Sequence, residues 1–343
     1  MKLLLLEYIT AGGLNRESLD TSLLQEAVLM RDALLRDFSD ISGLQIVTTY
    51  DARLTPPDNA YRTIAMDATS NPESVWQELL TQCEAALIVA PETSDVLSRL
   101  TQMVEAAAIK NLGSHLEAVN IASDKYDTYK LLKHANITTM PTWAATEFAE
   151  IEHISLNGFV IKPKDGAGCE TTYYFAEKSG VLTWLANHPH ENLIVQPFQL
   201  GMPASISALF KQGQAWVLGC NEQLVHILDG DIQVDGNNTI HFKGCRVNAC
   251  NEYLADFTSL ANQVAAALPT LSGYAGIDLI VDKDEINVVE INPRITTSYS
   301  GLRESLGHNP AQLILDLALN PAFDLPFGMN KNIVDVHIKC ING

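Results

Sequence analysis

The sequence predicts an α/β unit followed by an α+β unit. Three observations lead there. Strand and helix patterns alternate through the first third, hairpin-forming strands crowd the remainder, and two late strands carry acids that a hairpin would set opposite each other. At 343 residues the chain is long enough for two or three domains, each with its own core. An apolar fraction of 47 % with near-zero mean hydropathy describes an ordinary soluble globular protein.

Residues 2–8 form the first predicted strand. Leu3 to Leu6 are apolar, but Glu7 cuts the run far too short for a signal peptide. The strand runs into the loop Thr10-Ala11-Gly12-Gly13, which lacks the GxGxxG spacing of a dinucleotide site. A helix is predicted over 22–38, with Leu23, Leu24, Ala27, Leu34 and Leu35 on one stripe. Strands follow at 44–49 and 85–89, then a helix at 95–108. Such alternation implies a parallel sheet with ligands at the carboxyl ends of its strands, where Glu7, Tyr8, the Gly12-Gly13 loop and Glu92 would lie.

Ser123 is placed to cap a helix starting at Asp124. Lys125 then faces the positive end of the helix dipole at a cost of about 0.3–1 kcal/mol, a cost that reverses if an anion is held there. A strand at 158–162 leads into Pro163-Lys164-Asp165-Gly166-Ala167-Gly168, a loop able to turn N–H groups toward a polyphosphate. Lys162 and Lys164 supply charge beside it, although a plain turn is the commoner use of such a segment. Further strands are predicted at 192–196, 204–209, 215–219 and 223–228, with a turn at Asp235-Gly236-Asn237-Asn238. Helices are expected over 252–268 and 310–319.

Between those helices lie the opposed acids. Residues 276–281 and 286–292 read as strands joined by a three-residue turn at Lys283, Asp284 and Glu285. That turn pairs Ile280 with Val288 and Asp278 with Glu290, whose Cβ atoms would sit roughly 5 Å apart and repel as carboxylates. Asn292 falls on the same face, and Leu279, Val281, Val289 and Ile291 on the other. Two carboxylates and an amide oxygen suit a hard cation such as Mg²⁺. Arg294, two residues further on, is placed to grip a phosphate or carboxylate. The polar loop 295–301 offers hydroxyls.

Totals narrow the partners. Net charge is −19, with 41 acids against 22 bases, so nucleic acid and anionic membranes would be repelled. No stretch is long enough for a membrane span. The 6 cysteines form no CxxC pair, which argues against zinc or a disulfide framework and suits the cytoplasm.

Taken in order, Ser-Asp-Lys (123–125), Val-Ile-Lys-Pro (160–163) with Asp-Gly-Ala-Gly (165–168), Val-Gln-Pro-Phe (195–198), Gly-Ile-Asp (276–278) and Glu-Ile-Asn-Pro-Arg (290–294) resemble the ATP-grasp superfamily. The resemblance implies a Rossmann-like pre-ATP-grasp domain over 1–115, an ATP-grasp small lobe over 116–195 and a large lobe with the metal site over 196–343. On it, Lys125 and Lys162 contact the ATP phosphates and the adenine edge, the Gly166, Ala167, Gly168 loop closes over the phosphates, and Gln196, Pro197 and Phe198 meet adenine at the hinge. Asp278, Glu290 and Asn292 hold one or two Mg²⁺, for which Mn²⁺ can substitute, and Arg294 faces the transferred phosphoryl group. Two departures stand out. No glutamate for ribose follows the hinge in Met202-Pro203-Ala204-Ser205, and Gly276 replaces the arginine that D-alanine ligases carry two residues before the metal aspartate.

Within the superfamily, residues 6–13, 90–92 and 292–302 are most similar to the tyramine–L-glutamate ligases of methanofuran and methylofuran biosynthesis. This implies a carboxylate–amine ligase working through an acyl phosphate on small-molecule acid and amine substrates, with a homodimer left open. Glu7, Tyr8, Thr296, Thr297, Ser298 and Tyr299 are the expected substrate contacts. An Arg294→Ala variant is expected to fold and to lose about 10²–10³ in turnover. Another amino acid–amine pair, a non-catalytic MgATP-binding protein and an ATP-dependent carboxylase are the alternatives, the last disfavoured because no biotin-binding feature can be read.

Overall fold

The computed structural model describes residues 1–153, 155–166, 171–228, 238–283 and 285–338. Ala167, Gly168, Cys169, Glu170, the turn at 235–237, Asp284 and Cys340 lie outside the described residues.

The first sheet is parallel throughout: β1 (Lys2–Glu7), β2 (Gln45–Asp51), β3 (Arg62–Met66), β4 (Ala85–Val89) and β5 (Lys110–Asn111), in the order β3-β2-β1-β4-β5. The leucine run of β1 is buried on both faces, as a central parallel strand must be. Leu3 and Leu5 pack among Met30, Leu34 and Phe38 of α1 (Thr21–Ser39). Leu4 and Leu6 pack among Trp76 and Leu79 of α2 (Pro72–Leu80) and Leu97 and Leu100 of α3 (Val96–Ala106). The strand order reverses between β1 and β4, so Glu7 at the end of β1 and Glu92 just after β4 stand near the switch point, the place where open sheets of this kind take ligands. The strand β3 and the helix α2 were not anticipated. The first is a partly exposed edge strand without an apolar run, and the second is announced only by Asn71-Pro72, where Asn71 caps the Ser74 N–H.

The second sheet is antiparallel. Its strands are β6 (Trp143–Ala144), β7 (Phe159–Pro163), β8 (Tyr173–Phe175), β9 (Leu193–Pro197), β10 (Met202–Lys211), β11 (Gln214–Leu228), β12 (Asn238–Val247), β13 (Gly273–Asp282), β14 (Glu285–Asn292) and β15 (Val334–His337). They run β14-β13-β10-β11-β12-β8-β7-β9-β6, with β15 beside β12. The two strands predicted at 215–219 and 223–228 are one long strand. Three cores stand on this sheet, one of them shared with the first sheet, where Leu209, Leu218, Val247 and Tyr274 join the core of β1 and α1. Phe148, Phe159, Phe175 and Val195 pack one end with Val181 and Leu185 of α6 (Lys178–Leu185), while Ile206, Phe210, Phe257 and Ile277 pack the other around α7 (Leu254–Ala267). The pairing of Thr239 with Tyr173 joins the two halves and leaves a cleft between them.

Three local expectations are corrected. Asp124, not Ser123, caps α5 (Lys125–His134), accepting the Tyr126 and Asp127 N–H groups, and Ser123 ends α4 (Leu116–Ser123). The loop at 295–301 turns helical at α8 (Tyr299–Leu306), because Tyr299, Leu302 and Leu306 bury one face at helical spacing. The late hairpin has Asp282 opposite Glu285, so its turn is shorter than predicted, and Ile280 faces Asn287 rather than Val288. A β-bulge between Leu279 and Asp278 then adds a residue to β14. Consequently Val288 takes the core place expected for Val289, and Asp278 still pairs with Glu290.

Candidate active site

Asp278 and Glu290 project into the cleft from adjacent strands of the sheet floor. Each oxygen of Asp278 accepts an amide N–H, from Gln223 Nε2 at 2.8 Å and from Asn292 Nδ2 at 3.0 Å. Lys162 Nζ at 3.3 Å and Lys125 Nζ at 3.5 Å converge on one oxygen of Glu290. Lys125 also donates to the Gly166 carbonyl, bringing the first turn of α5 to the glycine loop. Burial pushes the Asp278 carboxyl up, and the Glu290 charge pushes it further, to about 7. Burial would raise Glu290 too, but Lys125 and Lys162 outweigh it and hold that carboxyl down to about 2.

This donor set fits a divalent cation. Two opposed carboxylates lose their repulsion when they share one, and a turn of the Asn292 amide presents its oxygen to it. Two lysines massed on one carboxylate are equally suited to a polyphosphate. Gln223 was not anticipated, because only the pairing of β11 with β10 and of β10 with β13 brings it across to Asp278.

Above the acids is a cavity of about 270 Å³ between the two halves of the second sheet. Lys125, Lys162, Gly166, Gln196, Pro197 and Phe198 all line it, together with Asp278 and Glu290. Its walls include Met140, Val160, Leu279 and Val289, an apolar slot suited to a flat base. The Gln196 side chain points to Thr142 Oγ1 at 2.9 Å, so its edge toward the slot is backbone.

Two further chambers continue from this cleft toward the first sheet. A small one of about 90 Å³ shares Gln223, Val225, Asp278 and Glu290 with the cleft and is also lined by Asn292, Arg294, Thr296, Thr297 and Ser298. Beyond it a chamber of about 330 Å³ is bounded by Glu7, Asp20, Leu23, Glu26, Met30 and Phe242, with Arg294 again on its wall. Arg294 is buried and clamped by Glu92, its Nε and Nη2 each donating to a carboxylate oxygen at 2.9 Å. Burial alone would lower the guanidinium, but Glu92 outweighs it and holds it above its ordinary value.

The expected substrate contacts divide. Glu7 lines the large chamber, with its carboxylate accepting the Thr10 N–H at 2.8 Å and hydroxyl at 2.7 Å. Burial raises that carboxyl. Thr296, Thr297 and Ser298 line the small chamber; Thr296 and Ser298 share hydrogen bonds with Tyr274, and Thr297 donates to Glu26. Tyr8 lines none of the three chambers and donates instead to the Gly13 carbonyl while packing edge-on against Trp76. Tyr299 is fully buried beside Tyr274 and is a core residue. Gly276 has a local cause, since a Cβ there would lie 2.8 Å from Thr296 Cγ2.

Residues 122–298, more than half of the chain, match the family described as the ATP-grasp domain, and residues 44–119 match the pre ATP-grasp 3 domain. The chain belongs to the ATP-grasp family. It is an ATP-dependent ligase that forms a carbon–nitrogen bond, with ATP and Mg²⁺ as its cofactors. It is 28 % identical over 338 residues to the tyramine–L-glutamate ligase of Methanocaldococcus jannaschii, covering 97 % of this chain and 94 % of that one. Against the enzyme of the same name from Methanocaldococcus fervens it is 27 % identical over 304 residues, covering 88 % and 89 %. Among solved structures, an ATP-grasp superfamily protein from Archaeoglobus fulgidus superposes with a TM-score of 0.71 at 21 % identity, over 98 % of this chain and 99 % of that one. Among the described residues no helix is long and apolar enough to cross a membrane.

Proposed function

We propose that this ligase joins the γ-carboxylate of L-glutamate to tyramine, in the cytoplasm, as a step of methanofuran or methylofuran biosynthesis. The observation that carries the ligase chemistry is the continuity of three chambers, with the two carboxylates at the passage between the first and the second and two lysines of the first held on Glu290. The two relatives named for that reaction support the substrate pair.

On this reading the domains divide at 1–115, 116–195 and 196–343. ATP occupies the apolar slot with its phosphates toward Lys125 and Lys162. Mg²⁺, when bound by Asp278, Glu290 and Asn292, neutralises charge on the transferred phosphoryl group. Lys125 and Lys162 steady the phosphate oxygens. A glutamate γ-carboxylate in the small chamber takes the phosphoryl group, and Arg294, held in place by Glu92, faces the resulting acyl phosphate. The N–H groups of Arg294 not used by Glu92 and the Ile295 carbonyl are its donors to the developing oxyanion. Amine attack on the acyl carbon then expels phosphate.

A screen of ADP release, with amino acids crossed against aromatic and aliphatic amines in the presence of Mg²⁺, tests the assignment. Release that needs both L-glutamate and tyramine is expected. Preference for another pair would displace the assigned substrates, and MgATP binding with no release for any pair would overturn the catalytic reading.

A further inference from the structure

The acyl-phosphate route leaves one chemical task without a residue. A primary alkylamine reaches the protein as an ammonium ion at neutral pH, with no lone pair for attack. Something beside the acyl phosphate must take a proton from it.

Glu26 is the carboxylate in position. It projects from α1 and lines both the small chamber and the large one, so it stands at the passage joining them. Arg294 and Phe242 mark the same passage. One Glu26 oxygen, Oε1, accepts the Thr297 hydroxyl, which fixes the carboxylate against the large lobe. No other described side-chain hydrogen bond falls on Glu26, in contrast to Glu7, whose carboxylate is taken up by Thr10 and by backbone N–H groups. Around it stand Glu7 and Asp20 from the first domain, and Arg294 and His241 from the large lobe. Behind it the chamber is walled by Leu23, Met30 and Phe242, a surface suited to the apolar body of an arylalkylamine.

We propose that Glu26 is a catalytic residue that binds the ammonium group of the amine substrate and acts as its general base. Glu26 takes one N–H proton and later releases it to water. The freed nitrogen lone pair forms the bond to the acyl carbon, and the carbon–oxygen bond to phosphate breaks with its electron pair on the leaving oxygen. The second N–H proton departs with the phosphate as HPO₄²⁻. This assignment rests on the ligase reading above and adds to it the handling of the nucleophile.

Hydroxylamine separates the two. It is already neutral at pH 7 and traps an acyl phosphate as a hydroxamate without needing a base. The full-length wild-type protein and its Glu26→Gln variant are assayed with MgATP and L-glutamate, with either hydroxylamine or tyramine as acceptor, from pH 7 to pH 10. The variant is expected to form hydroxamate at close to the wild-type rate, while amide formation at pH 7 falls by about 10²–10⁴. The amide defect should shrink as pH rises and free tyramine accumulates. Wild-type amide formation in the variant would overturn the proposal, as would equal loss of both products. A wild-type protein that makes no hydroxamate at all would instead remove the ligase reading, and this inference with it.

Discussion

Arg294 and Glu92 meet through a planar two-bond contact, buried on both sides, between groups 202 positions apart in the chain. That contact alters what removal of the arginine should do. Arg294→Ala strands the Glu92 carboxylate out of water, and breaking a buried pair from one side costs about 3–5 kcal/mol. The variant should therefore unfold at lower denaturant as well as lose about 10²–10³ in turnover. Adding Glu92→Ala should restore part of the stability and none of the turnover. Chemical denaturation of the two single variants and the double variant checks this through their coupling energy; additive losses would show the pair to be uncoupled. The expectation that Arg294→Ala folds normally came from a sequence that shows the arginine and hides its partner. Gln223, which holds Asp278, was hidden in the same way: a lone glutamine in a strand carries no signal until the strand order is known.

Elements with a strong pattern were legible. Ala85–Val89 and Pro310–Leu319 were read to the residue, because one is an unbroken apolar run and the other opens on Asn-Pro and closes on Asn-Pro. The opposed acids were also read correctly, but through a turn length the protein does not have. The shorter turn alone would have put Val289 opposite Asp278 and aimed Glu290 at the core; the bulge restores the acid to the cleft. Nothing in Ile-Asn-Val-Val-Glu announces a bulge. Another element-scale device is the brace on the segment leading into α1, which carries Glu26. Arg53 donates to the Leu14 and Glu17 carbonyls at 2.7 Å and 2.6 Å while gripping Asp51 at the end of β2. Burial pushes the Asp51 carboxyl up, but Arg53 outweighs it and leaves it below its ordinary value. A depressed folded-state value gives stability that is present above the usual aspartate range and lost as pH falls through the depressed one. Asp51→Asn should therefore melt below the wild type at pH 7, with the difference closing as pH drops below about 4. A gap that stays constant with pH would show that the charge is not what holds the brace.

At the scale of the molecule, the motifs whose order along the chain suggests a nucleotide site come together in one cleft. Six of the residues expected there, from Lys125 to Phe198, line one cavity with Asp278 and Glu290. The proposed substrate side was less legible, because it is assembled from α1, the end of β4 and the segment after β14, which meet only in the folded state. That is why Glu26 carries no signal in the sequence, whereas Tyr8 and Tyr299, expected there from their polar hydroxyls, stand outside the three chambers. The proposed chemistry depends on the acid pair binding Mg²⁺ together with the nucleotide. Titration calorimetry of ATP into the wild type and the Asp278→Asn, Glu290→Gln double variant, with and without Mg²⁺, tests it most directly. Mg²⁺ should tighten ATP binding to the wild type and leave binding to the double variant unchanged. An equal Mg²⁺ response in both proteins would contradict the account.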